Sequence, residues 1–232
     1  MSAPPLIAVA HGSRDPGAAT TADALVAEVR RHRPGLTVTK SFLEHAAPDL
    51  PAAITAVGTG AVVVPLLLTA AFHSANDLPA QLATADPEAV QADVLGPHPL
   101  LLAALERRLA EAGVCVGDPG TAVVLAAAGS ADPAAQQTIR ELAVSWAARG
   151  WWAVEAAFAS AAEPNVEAAV AALRVRGAPR VAVASYLLAA GLFADCIAAA
   201  GGDATSAPLG DAPEVAELVL ARYDAALTRQ PA

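Results

Sequence analysis

The sequence predicts an α/β fold made of two similar doubly wound domains, each built on a parallel four-stranded sheet. Three observations carry this expectation. Short apolar runs, too short for buried helices, alternate along the chain with stretches of helical pattern. Several of these runs are continuous rather than alternating, as a strand covered on both faces requires. The second half of the chain repeats the landmarks of the first.

The elements follow in order. Leu6 to Ala10 is an apolar run that ends on His11 and passes through Gly12 and Ser13 to Asp15 and Pro16, a cap-type side chain followed by a first-turn proline. This reads as strand, functional turn and helix. Ala18 to Arg31 is helical in pattern, Arg33-Pro34-Gly35 closes it, and Leu36 to Phe42 alternates as a second strand with Glu44 beyond its carboxyl end. Pro48 and Asp49 open a second helix that ends at Gly58 or Gly60. Ala61 to Leu68 forms a third strand, with His73 just after it. Asp77 to Ala85 makes a short helix, Val90 to Leu95 a fourth strand, and Pro99 to Ala112 a longer helix.

The repeat is visible in its glycines and prolines. Gly12-Ser13-Arg14-Asp15-Pro16 matches Gly129-Ser130-Ala131-Asp132-Pro133, Phe42 ahead of Pro48 matches Phe158 ahead of Pro164, Val62 to Leu68 matches Val181 to Leu187, and Leu95-Gly96 matches Leu209-Gly210. The expected domains are therefore 1–114 and 121–232, joined near Gly113 to Gly120, with the crevice between them as the natural pocket.

Composition excludes several classes. Hydrophobic content is 55%, yet the longest apolar stretch, Ala61 to Phe72, is broken by Pro65 and Thr69 and cannot span a bilayer. No basic segment precedes the first apolar run, so neither a signal nor a transit peptide is read, and the cytoplasm is the expected compartment. Cys115 and Cys196 form no CxxC pair, which argues against a disulfide framework or a structural zinc site. A net charge of −9 argues against nucleic acid as a partner.

His11, Glu44 and His73 each fall just beyond the carboxyl end of a successive strand of one domain, and that sheet edge is where open α/β folds bind ligands. Two imidazoles and a carboxylate make an open set suited to a divalent ion such as Fe²⁺, Co²⁺ or Ni²⁺, and equally to moving protons. The second half has Ala128, Ser160 and Leu192 at the corresponding places, so the fold does not need the first-half residues for its own sake. Other histidines carry weaker signals. His32 reads as a solvated helix end, His98 as a loop residue able to reach the same crevice, and His45 as a surface residue pointing away from Glu44 if strand geometry persists, with a role supporting the Glu44 site as the alternative. Trp146, Trp151 and Trp152 read as core.

With these residues in view, the sequence resembles the sirohydrochlorin chelatase family of class II tetrapyrrole chelatases. The resemblance rests on His11-Gly12-Ser13-Arg14-Asp15-Pro16, Phe42-Leu43-Glu44 with Pro48, the apolar strand leading to His73, Asn76-Asp77-Leu78-Pro79, and Leu95-Gly96-Pro97-His98-Pro99. The second half resembles that of long, two-domain members with one domain degenerate. Phe72-His73-Ser74-Ala75 departs from the glycine-rich approach and following basic residue often found in the family. The resemblance implies ATP-independent insertion of Fe²⁺ or Co²⁺ into sirohydrochlorin, in sirohaem or cobalamin formation. His11, Glu44 and His73 would handle the metal and the protons, and Gly12, Ser13, Arg14 and His98 would hold the substrate. The divalent metal would be a substrate, with no permanently bound cofactor, and the protein would act as a monomer. A tetrapyrrole or metal carrier that binds the same ligands without turnover is the alternative reading.

Overall fold

A computed structural model describes residues 3–69 and 78–229; His73, Asn76 and Asp77 lie outside them. The first sheet consists of β1 (Leu6–Ala10), β2 (Val38–Phe42), β3 (Val62–Pro65) and β4 (Val90–Gln91), in the order β2-β1-β3-β4. The second consists of β5 (Thr121–Ala127), β6 (Ala153–Phe158), β7 (Arg180–Tyr186) and β8 (Ala204–Thr205), in the order β6-β5-β7-β8. Every strand pair is parallel. The helices are α1 (Pro16–His32), α2 (Leu50–Val57), α3 (Leu78–Ala85), α4 (Pro99–Glu111), α5 (Pro133–Ala147), α6 (Val166–Val175), α7 (Leu192–Ala198) and α8 (Pro213–Thr228).

The predicted cap signals act as such. Asp15 accepts from Gly17 N at 2.8 Å ahead of α1, and Asp132 accepts from Ala134 N at 2.9 Å ahead of α5, each followed by a proline that lacks only an N–H the helix would not have bonded. Both sheets are covered on two faces, which is why their central strands are apolar throughout. Ile7, Val9 and Val63 pack against Leu50, Ile54, Leu78 and Leu82 of α2 and α3, while Val124, Val181 and Val183 pack against Val170, Leu173 and Ile197 of α6 and α7. The fourth strand is shorter than Val90 to Leu95. It keeps only the two residues that pair with Val62 and Val63.

The compact units differ from the 1–114 and 121–232 division that the repeat implied. One unit is 1–96 with 210–232, and the other is 97–209. The strands fall as expected, but the final helix of each repeat is exchanged. In the first unit α8 lies on β3 and β4 beside α1, and in the second α4 lies on β7. The Gly113 to Gly120 stretch, where the repeats join in sequence, falls within the second compact unit. Periodicity shows which face of a helix is apolar, but two similar sheets offer similar seats, and polar anchors mark the one taken. In the first unit Tyr223 Oη donates to Pro4 O at 2.6 Å, and Arg33 grips both carboxylate oxygens of Asp224. In the second, the buried indole of Trp146 donates to Glu106 of α4 at 2.9 Å.

Register corrects one detail of the repeat. Leu6 pairs with Val62, and its counterpart Val123 pairs with Ala182, so Val62 corresponds to Ala182 rather than Val181. From Ala182 to Ala204 the second unit is also six residues shorter than the first from Val62 to Val90. That difference covers the stretch holding His73, so sheet register does not single out Leu192 as its counterpart.

Candidate functional site

The β1–β2 ladder runs past both strand ends. Leu43 N donates to Ala10 O at 3.0 Å and Glu44 N donates to His11 O at 2.9 Å, which brings the backbone of His11 and of Glu44 together at the carboxyl edge of the first sheet. The second unit reproduces this backbone with Ala159 N to Ala127 O at 2.8 Å and Ser160 N to Ala128 O at 2.9 Å. The correspondence of His11 with Ala128 and of Glu44 with Ser160 is thus a matter of bonding pattern as well as sequence.

The glycines that follow have a local reason. Gly12 has φ +96° and a Cβ there would lie 1.7 Å from Glu44 O, while Gly129 has φ +96° and would place a Cβ 1.9 Å from Ser160 O. Only glycine allows the chain to leave the strand so close to its neighbour. Ser13 Oγ accepts from Asp15 N at 3.0 Å, and Ser130 Oγ accepts from Asp132 N at 3.1 Å. Gly12 with Ser13, and Gly129 with Ser130, therefore shape the turn in each unit, including the one with Ala128 and Ser160 in place of His11 and Glu44.

His11 is half-buried, with Nδ1 3.3 Å from Gly12 O. An Nδ1–H donated to that carbonyl makes Nε2 the nitrogen that carries the lone pair, the form needed by a metal ligand or a base. Glu44 is exposed, and its Oε2 lies 3.3 Å from His45 Nε2. His45 is at the surface, as expected, but strand geometry does not persist through it. The residue takes φ 63°, which ends strand geometry and brings the imidazole back beside the carboxylate instead of away from it. Arg14 is exposed and makes no hydrogen bond or ion pair with a described residue.

His98 has a structural task. It is the N-cap of α4, where its Nδ1 accepts from Leu100 N at 3.2 Å, and it belongs to the second compact unit rather than to the one that holds His11 and Glu44. Its counterpart Ala212 begins α8 with no side-chain cap. Among the described residues no three His, Cys, Asp or Glu side chains gather as a metal set, and no helix is long and apolar enough to cross a membrane.

A pair of similar units, each with a parallel four-stranded α/β sheet, is the architecture of the chelatases to which the chain is similar. The chain belongs to the CbiX family, which matches it twice, over residues 5–112 and 122–226. Among solved structures it is similar to SirB from Bacillus subtilis with Fe³⁺, with TM-score 0.76, 24% identity, and 94% of this chain and 92% of that chain covered. The sirohydrochlorin chelatase SirB from Bacillus subtilis subspecies spizizenii in complex with cobalt gives TM-score 0.75 and 23% identity, covering 97% and 95%. CbiX, the terminal enzyme for biosynthesis of siroheme in denitrifying bacteria, gives TM-score 0.74 and 25% identity, covering 96% and 99%. No curated protein matches the chain by sequence.

Proposed function

We propose that this protein is a sirohydrochlorin chelatase that inserts Fe²⁺ or Co²⁺ into the macrocycle without ATP, in sirohaem or cobalamin formation. Membership of the CbiX family over both halves supports the reaction class. The observation that supports this reading is the backbone bond from Glu44 N to His11 O, which brings a histidine and a glutamate onto adjacent chain segments at the sheet edge of one unit, while the same bond in the other unit joins Ser160 to Ala128.

The reaction needs three things. Water must leave the ion, two pyrrole N–H protons must be removed, and the ring must bend so that its nitrogens can be reached. His11 and Glu44 supply a nitrogen and an oxygen donor that replace water on the ion, and both are bases able to take a pyrrole proton. His73 is the third donor in this reading, carried by the family resemblance. Arg14 meets a peripheral carboxylate of the substrate, since a guanidinium pairs such groups bidentately. Overall charge does not forbid this. Screening acts over about 8 Å at physiological salt, so a local cation outweighs a distant net −9. The chain works as a cytoplasmic monomer in this reading, and the metal is a substrate.

The test is anaerobic insertion of Fe²⁺ and Co²⁺ into sirohydrochlorin, followed by absorbance, with protoporphyrin as the control macrocycle. Turnover with sirohydrochlorin and none with protoporphyrin is the expected result. No rate above the spontaneous one with either metal overturns the enzyme, and stoichiometric binding without turnover supports a carrier instead.

A further inference from the structure

We propose that His45 is a metal-contacting residue that forms, with Glu44, a two-donor landing point for the incoming divalent ion. Adjacent residues of a strand point to opposite faces, so Glu44 and His45 would be separated if β2 simply continued. The left-handed conformation of His45, φ 63°, reverses that and leaves Nε2 3.3 Å from Glu44 Oε2. The turn itself does not ask for histidine. Its counterpart Ala161 takes φ 55° in the second unit, after the same backbone bond at Ser160. What the imidazole adds is therefore its contact with the carboxylate.

The spacing suits a chelate. First-row ions hold nitrogen and oxygen donors at about 2.0–2.2 Å, which places neighbouring donors roughly 3.0–3.5 Å apart for octahedral to tetrahedral angles. An imidazole nitrogen and a carboxylate oxygen are also the donor types that Fe²⁺ and Co²⁺ accept. Both side chains are exposed, 42% for His45 and 48% for Glu44, so a hydrated ion reaches them before it reaches half-buried His11. Glu44 is then the residue that the landing point has in common with the proposed insertion site. The identity of the ion as the reaction's metal rests on the function proposed above; the two-donor site does not.

Titration of the full chain with Co²⁺ alone, in the absence of tetrapyrrole, reads the site directly. His45→Ala and His45→Asn should each weaken Co²⁺ binding about three- to tenfold with melting temperatures near wild type, alanine being what Ala161 shows the turn accepts and asparagine tolerating the left-handed region. In the insertion assay both should raise the KM for metal by a larger factor than they lower kcat, with the KM for tetrapyrrole unchanged. Unchanged Co²⁺ affinity in either variant overturns the inference, whatever the turnover. A loss of Co²⁺ affinity in a protein that proves to have no turnover leaves the site standing and removes only the chelatase reading.

Discussion

Glu44 N–H donates to His11 O at 2.9 Å, and the same bond joins Ser160 to Ala128 in the second unit. One backbone arrangement thus carries a base and a carboxylate in one copy and a methyl and a hydroxyl in the other. The second unit is an internal control for every claim about the first, because it separates what the turn needs from what the chemistry needs.

Gly12 and Gly129 belong to the turn. Gly12→Ala and Gly129→Ala should each destabilise the protein by more than about 2 kcal/mol in denaturant unfolding, since each adds a methyl within 2 Å of a neighbouring carbonyl at a φ that alanine resists. A tolerated Gly12→Ala beside a damaging Gly129→Ala would mean that the two turns are not equivalent.

Glu106 holds the exchanged helix α4 in its unit through the buried Trp146 indole and through Arg149 at 3.0 Å. Glu106→Ala leaves the indole N–H without its acceptor and should cost about 1–3 kcal/mol, whereas Glu106→Gln, which keeps an acceptor, should cost less. Equal unfolding midpoints for wild type and the alanine variant would remove this anchor from the account.

Among the described residues four carboxylates, Glu28, Asp118, Asp203 and Asp224, are held below their usual range, and two of them tie separate segments of the chain together. The Arg33 guanidinium holds Asp224 below the usual aspartate range, and the Val181 N–H, helped by Arg174, does the same for Asp203. Because folding lowers both values, their contribution is complete above the unfolded aspartate pKa of about 3.9 and is lost as pH falls through the lower folded values. The melting temperature of wild type should therefore drop more steeply below about pH 4 than that of Asp224→Asn. Parallel curves would assign the acid limit to other groups.

Arg14 is exposed, without a partner among the described residues, and is replaced by Ala131 in the second unit. Arg14→Ala should raise the KM for sirohydrochlorin several-fold and change kcat less, the pattern of lost uniform binding. A fall in kcat at constant KM would move Arg14 into the chemistry.

Much of this was legible in the residues. Asp15-Pro16 and Asp132-Pro133 gave helix starts, the continuous apolar runs gave covered parallel strands, and the repeat gave two sheets of the same order. Placing Glu44 beside His11 needed only the rule that successive strands end on the same edge. The exchange of α4 and α8 was not legible, because an apolar stripe such as Leu101, Leu105 and Leu109 fits either of two similar sheets. One signal was available: Glu106 falls on the otherwise apolar side of that helix and needed the partner that Trp146 provides. The contact of His45 with Glu44 is not legible, because a left-handed residue has no alternation to follow and nothing in the triplet Glu44-His45-Ala46 announces one. His98 was read for its chemistry, whereas its position directly before Pro99 already marked a helix cap.

The central claim is that the edge carrying His11 and Glu44 performs the insertion and the matching edge of the second unit does not. It is tested most directly by comparing anaerobic turnover of His11→Ala and Ser160→Ala at matched fold stability. The account predicts a loss of at least about 100-fold for His11→Ala, the lower range for removal of a group that moves a proton or positions the metal, and turnover within about twofold of wild type for Ser160→Ala. Wild-type turnover in His11→Ala, or loss of turnover in Ser160→Ala, would contradict it.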